Sequence, residues 1–241
     1  RAKTGFNVLI QEYPLHPEAF EARLLNARAD WVRGEYDKGM SNLKEALRYA
    51  PDSASRQRVR ITIGELLQEQ GRFEDAISEY REAYLEAPKA ETAPSALLKQ
   101  ADNLYNLARY EDSAKAYRDI IRNFPESELA GDAQYSIGLT YFRQGRLDDY
   151  IQECLQTSEA HPGTRQSALA LNGAAAILME QNRHREAIAI QRTLLSDYSG
   201  YIDEQLVRFR LAQNMLDNND TAMAVEQLKL LLENAPMGRF A

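Results

Sequence analysis

The chain of 241 residues is poor in the residue types that most directly announce chemistry: one cysteine, one tryptophan and three histidines. A lone thiol, Cys154, cannot close an internal disulfide or build a multi-thiolate metal centre, so it leaves the redox compartment open. No apolar run is long enough to cross a bilayer, which excludes membrane insertion by this segment. Charge of one sign is missing as well. The 29 basic and 36 acidic residues are interspersed and sum to -7, an arrangement that speaks against nucleic acid or anionic lipid bound by general electrostatics. The first residue is Arg1 and no secretion signal follows it, so the chain reads as a fragment or a mature piece.

Catalytic patterns are equally scarce. The sequence has no glycine-rich phosphate loop, nucleophile elbow or zinc-protease motif. His16, His161 and His184 fall in turns or at a helix start, with no two at metal-ligand spacing. Asp148 and Asp149 are adjacent, and neighbours on a helix point in different directions and cannot work on one substrate as acid and base. No catalytic residue, cofactor or metal is expected.

What the sequence has is a ruler. Pro14, Pro51, Pro88, Pro125 and Pro162 stand 37 residues apart, Pro236 lies two periods further, and Ser199 fills the missing step. Strict periodicity of this size marks a repeat architecture. Gly34, Gly71, Ala108, Gly145, Asn182 and Asn219 keep the same spacing, at places where a left-handed residue closes a helix; four or five of the six suit that role. Ala27, Gly64, Ala101, Gly138, Ala175 and Ala212 form a uniformly small set, as close helix-to-helix approach requires.

Between the markers, apolar residues recur at helical spacing, as in Ile77, Tyr80, Ala83, Tyr84 and in Ala114, Tyr117, Ile120, Ile121, so each repeat reads as a helix pair. Ser53, Ser127 and Thr164, two residues after a proline, are expected to accept from free amides of the helix that follows. Thirteen helices and no strand are predicted, with first helices near 17-33, 53-70, 90-107, 127-144, 164-181 and 203-218. The period divides the chain into a half repeat, 1-14, then 15-51, 52-88, 89-125, 126-162, 163-199 and 200-236, and a truncated end, 237-241: about six and a half units in one domain. Uncapped ends predict that the chain continues on both sides and leave self-association open.

The stretch Ile63, Gly64, Leu67, Gly71, Phe73, Ala76, Tyr80, Ala83, Pro88 resembles a tetratricopeptide repeat in its order of small, large, aromatic and turn residues, and the likeness runs over essentially the whole chain. The repeats exceed the usual length of about 34 by three residues. Segments such as Tyr117 to Pro125, followed by Ser127, Ala130, Ala133, Tyr135, Gly138 and Tyr141, are similar to a longer-repeat subgroup of bacterial envelope proteins. The resemblance implies an all-α, right-handed solenoid of antiparallel helix pairs that binds protein or peptide on a concave side lined by the first helices. Residues carried onto that side are Leu98, Asp102, Tyr105, Tyr135, Leu139 and Phe142, which are expected to anchor an apolar segment. Asp102 and Arg143 are expected to fix its direction, and Met179 and Phe209 extend the same rows. Part of this stripe can equally be core. The family's Lys and Asn clamp for a chain-terminal carboxylate is absent: its places hold Leu24, Arg28, Thr62, Ser95 and Lys99.

Three residues stand out from the pattern. Tyr150 occupies a place that Ala76, Ala187 and Ala224 keep small, so either the fourth pair is splayed, the ring turns outward, or the pair repacks with help from Cys154 and Thr157. Asp30 replaces an apolar residue and is expected to pair with Arg23 or Arg33; Trp31 is assigned to core or end packing. The leading expectation is a non-enzymatic interaction scaffold in a bacterial envelope assembly, periplasmic or outer-membrane-associated, with a cytoplasmic setting as the alternative. The competing one is a regulatory or substrate-presenting region of a larger enzyme or secretion machine.

Overall fold

A computed structural model describes residues 2-234, the side chains of 2-4 and 234 excepted, so the expected truncated end at 237-241 lies outside the described residues. Thirteen α-helices and one short 3-10 turn make up the described chain, with no strand among the described residues. They are α1 (Ala2–Glu12), α2 (Pro17–Val32), α3 (Tyr36–Arg48), α4 (Ser53–Glu69), α5 (Phe73–Glu86), α6 (Ala93–Asn106) and α7 (Tyr110–Asn123). There follow α8 (Leu129–Arg143), α9 (Leu147–Ala160), α10 (Arg165–Glu180), α11 (His184–Asp197), α12 (Glu204–Asp217) and α13 (Thr221–Asn234). The 3-10 turn, Ser199–Tyr201, sits where the periodic proline is replaced by Ser199. The chain falls into two compact units, one up to Leu129 and one from Ala130 on. Within each, helices pack on their neighbours in sequence, from α1 on α2 through α6 on α7 and from α9 on α10 through α12 on α13. This is the helix-pair stacking of an all-α solenoid.

Every first helix from α2 on ends the same way. The residues at 34, 71, 108, 145, 182 and 219 all have positive φ, between 58° and 79°. The next amide reaches back across the last turn: Arg72 to the Leu67 carbonyl (3.0 Å), Arg109 to Leu104 (2.9 Å), Arg146 to Tyr141 (3.0 Å), Arg183 to Leu178 (2.8 Å). These bonds occupy carbonyls that a helix end otherwise leaves open. The sequence reading admitted four or five such residues; the structure makes it six, because Ala108 is bent into the left-handed region like its glycine counterparts.

The starts are more varied. Asp52 caps α4, accepting from the Ser55 amide at 2.7 Å, so Ser53 is the first helical residue rather than the expected acceptor. Thr164 caps α10 as expected, and Ser127 accepts from the Leu129 amide. The second helices α5, α7, α9 and α11 have no side-chain cap; acids stand in the first turn, where they favour the positive helix end, and an arginine just before it clasps one of them three residues on. Arg72–Asp75, Arg109–Asp112, Arg146–Asp149 and Arg183–Glu186 repeat this clasp. Exposed pairs of this kind are worth only ~0.2–1 kcal/mol each, so the apolar seam carries the stability.

That seam lies where paired helices meet. The Tyr80 ring, fully buried, lies against Gly64 so closely that a Cβ there would come within 2.6 Å of it. In the first unit Phe20, Trp31, Leu43, Val59, Ile63 and Leu67 belong to the same buried cluster as Tyr80. In the second, Ile151, Leu171, Leu178, Ile190 and Leu194 share one buried cluster with Tyr150, and Leu211 and Met215 form another with Ile188 and Ala224.

Ala108 provides a stability test. A left-handed backbone costs a residue with a Cβ roughly 1–2 kcal/mol, and glycine escapes it. Ala108→Gly is therefore expected to raise unfolding stability by about 1 kcal/mol, part of the relief being offset by the looser unfolded chain. Urea denaturation followed by circular dichroism reads the shift in midpoint.

Candidate functional site

The first helices of the second unit turn one face away from the second helices with which they pair. On α10 the buried residues Ser167, Ala168, Leu171, Ala174, Ala175 and Leu178 face inward, which leaves Leu169, Asn172, Ala176 and Met179 on the other side at helical spacing. The same register on α8 presents Tyr135, Leu139, Phe142 and Arg143, and on α12 Leu206, Phe209 and Leu216. Tyr135, Leu139 and Met179 are half-buried and rest against the unit's core, while Phe142 is 43% exposed. Met179 is tethered from beneath, its sulfur accepting from the Gln191 Nε2 at 3.4 Å. Phe209 is half-buried, and Leu169, Leu206 and Leu216 are exposed. The stripe is therefore both things the sequence allowed, core at its base and accessible at its crest.

The first unit presents a different chemistry on the corresponding helices. Leu98, Asp102 and Tyr105 lie on α6, all half-buried. The Tyr105 ring meets Tyr110 edge to face at 5.6 Å. Asp102 accepts the Tyr117 hydroxyl at 2.6 Å, so one of its oxygens already serves the helix pair. A cavity of about 240 Å3 opens between α2, α4 and α6, with Leu24, Leu25 and Ile61 as its apolar part. Ion pairs span it: Arg58 with Glu21 at 2.8 Å, and Glu65 reached by Lys99 at 3.1 Å and Arg28 at 3.7 Å. The lining includes all five clamp positions of the sequence reading, and Glu65 supplies a carboxylate there from within the chain. A larger groove of about 640 Å3 runs on the second-helix side, between α5 and α7 over α6. The groove on the second-helix side was not anticipated, since it depends on how neighbouring pairs space themselves.

The outliers of the sequence are resolved by packing. Asp30 is fully buried and held by Asn42 (2.7 Å) and Arg33 (3.4 Å); Arg23 instead donates to the Pro14 carbonyl and lies over the Tyr49 ring. Trp31 is core, 8% exposed, its indole N–H bonded to Glu69 at 2.8 Å. Tyr150 does not turn outward. It is 5% exposed and lies over Gly138 of its own pair, and its hydroxyl reaches Gly173 of the next first helix so closely that a Cβ there would lie 2.0 Å from the oxygen. The room comes from Gly173, a residue the repeat pattern alone did not single out.

Nothing in these arrangements gathers reactive groups. Among the described residues no cluster of His, Cys, Asp and Glu could hold a metal ion, and no helix is long and apolar enough to cross a membrane. The histidines have local structural roles: His16 accepts from the Glu18 amide, the His161 ring covers Gly131, and the His184 Nδ1 lies 3.0 Å from the Asn214 Oδ1. Burial pushes the Cys154 thiol up to about 12, the negative charge of Glu153 adding to the effect and the Tyr150 hydroxyl opposing it. Burial likewise raises the Tyr80 and Tyr150 hydroxyls.

Stacked helix pairs with left-handed closures, an apolar seam and open first-helix faces define a helical-repeat protein. The tetratricopeptide repeat profile matches residues 24–94 and 98–163, and the chain belongs to the tetratricopeptide repeat family. No curated protein matches it significantly. Among solved structures it is similar to the C-terminal part of a TPR repeat-containing protein from Cytophaga hutchinsonii, at 16% identity over 98% of this chain and 90% of that one, with a TM-score of 0.69. A tetratricopeptide repeat protein from Parabacteroides merdae aligns at 17% identity over 91% and 81% of the two chains, with a TM-score of 0.57. YrrB, described as a TPR protein with an unusual peptide-binding site, aligns at 14% identity over 84% and 95%, with a TM-score of 0.53. These likenesses show the fold.

Cys154 gives a test of the buried seam. A thiol that stays protonated to about 12 and has 1% of its surface exposed lacks both the nucleophile and the access that alkylation needs. At pH 8 iodoacetamide is expected to leave the native chain unlabelled and to label it fully in denaturant; mass spectrometry of the intact chain reads the difference.

Proposed function

We propose that this chain is a non-enzymatic scaffold that captures a partner polypeptide on its first-helix faces, with the second unit's face as the principal anchor. The observation that carries the reading is the set Phe142, Leu169, Leu206 and Leu216, large apolar side chains exposed on the same register of three first helices. Solitary exposed apolar residues are ordinary, whereas their recurrence on one face of successive first helices is what an interaction surface requires. Phe142 is its single exposed aromatic, and aromatic anchors commonly dominate interface energetics. Leu139, Tyr135, Met179 and Phe209 lie on the same first-helix faces at half exposure, and Arg143 adds a rim charge that acts mainly on association rate. On the first unit, Leu98, Asp102 and Tyr105 offer a smaller and more polar contact. The peptide-binding description of YrrB, a structural neighbour, supports the partner class.

A bacterial envelope is the setting we propose, on the resemblance of the lengthened repeats. Fractionation of the native host with an antibody to the chain is expected to find it outside the cytosol, and a cytosolic protein would overturn this part of the reading.

Selection of random peptides against the immobilised chain is expected to enrich sequences rich in apolar and aromatic residues. Phe142→Ala should weaken the selected peptides by about 30-fold, the equivalent of about 2 kcal/mol, with helical content unchanged. Equal affinity in a folded Phe142→Ala variant would place recognition on another surface.

A further inference from the structure

The exposure of Phe142 has a cause that other helix pairs make visible. The same place at the end of a first helix holds an aromatic residue in three pairs: Trp31, Tyr105 and Phe142. Eight residues on, on the second helix, stand Gly39, Ser113 and Tyr150. Gly39 lets the α2 backbone approach, a Cβ there meeting the Ala27 carbonyl at 3.0 Å, and the Trp31 ring lies down beside it at 3.6 Å, with Trp31 8% exposed. Ser113 is small and tied to the Ala101 carbonyl (2.9 Å), and Tyr105 above it is half-buried. Tyr150 fills the gap itself, with 5% of its surface exposed, and Phe142 is left at 43% with the two ring centroids 5.3 Å apart.

A close-packed gap holds one ring, not two. A second difference points the same way. Trp31 and Tyr105 each lean on an aromatic residue at the start of the second helix, Tyr36 at 4.8 Å and Tyr110 at 5.6 Å. That place is Leu147 in the fourth pair, so the aromatic neighbour of Phe142 is Tyr150. Leu216, over the small Ala224, is exposed as well, on the last first helix among the described residues.

We propose that Tyr150 is a positioning residue of the recognition face: by occupying the gap between α8 and α9 it holds the Phe142 ring out where a partner side chain can reach it. Gly173 is part of the device, since only a residue without a Cβ admits the Tyr150 hydroxyl at its far end. The inference rests on the reading of Phe142 as an anchor, yet it makes a claim about ring placement that needs no partner to test.

Hydroxyl-radical footprinting of the full chain, read by mass spectrometry at Phe142, is the experiment. Tyr150→Ala is expected to let the Phe142 ring fall back into the vacated gap, so that Phe142 loses most of its labelling. Tyr150→Phe keeps the wedge and should keep Phe142 labelled as in the parent chain, which a role confined to the hydroxyl would not produce. Should the alanine variant lose helical content, Tyr150→Leu carries the same test with part of the gap still filled, and Phe142 labelling should fall to an intermediate level. Unchanged Phe142 labelling in a folded alanine or leucine variant overturns the positioning role. Capture of the selected peptides is measured on the same variants. Capture that persists undiminished while Phe142 is withdrawn overturns instead the reading of Phe142 as the anchor.

Discussion

The close approach of two helices at a residue with little or no side chain is the contact on which this structure depends. At Gly64 the Tyr80 ring occupies the space a methyl group would need. An aromatic ring pressed on backbone brings the paired helices together and buries a large apolar area in one contact, at about 25 cal/mol per Å2. The small positions recur with the period although their partners vary, so each pair can close in this way and presents its neighbour with an apolar flank to cover. A repeat of this kind has no core of its own; stability comes from the pair and its nearest neighbours.

This constraint explains why the polar features are where they are. The left-handed closures and the arginine clasps sit at the tight turns between helices, where backbone groups are open to solvent and no seam competes for them. Buried polar side chains serve the seam by satisfying one another. Gln68 accepts from Asn103 and from the Tyr80 hydroxyl, and Gln191 accepts from Asn214. Such bonds link one pair to the next and are costly to leave unmade.

Function follows from what the seam does not use. Pairing commits one side of each first helix and leaves the other free to vary, and the two units vary it in opposite directions. The first unit carries ion pairs around a small cavity, whereas the second carries leucines and Phe142. Tyr150 shows how a departure from the repeat reaches that free side. A large ring placed where the pattern asks for a small residue is accommodated at Gly173 and Cys154, and the displaced volume appears as an aromatic ring in solvent.

The period of 37, the helix pairs, the small positions and the closures were all legible in the sequence, because each rests on a local demand: a turn needs a left-handed residue, a helix needs a face, and a proline ends one. Even Ala108 was in the right place, although its side chain argues against the conformation it adopts; the turn geometry shared with its glycine counterparts overrides the preference of the residue. The cap at Asp52 rather than Ser53 is a one-residue matter of helix phase, which propensity does not resolve. What remained hidden depends on residues far apart in sequence meeting in space. Tyr150 was visibly anomalous, but the choice between ring outward, splayed helices and repacking was made by Gly173 on the following first helix. Whether Tyr135, Leu139 and Met179 were core or surface was likewise decided by how far each helix turns against its neighbours. The sequence by itself determined that this chain is a stack of helix pairs, since the periodic signal comes from local structure. Only the tertiary structure decided which side chains the stack holds out to a partner, since exposure is set by the packing of helices the one-dimensional pattern does not rotate.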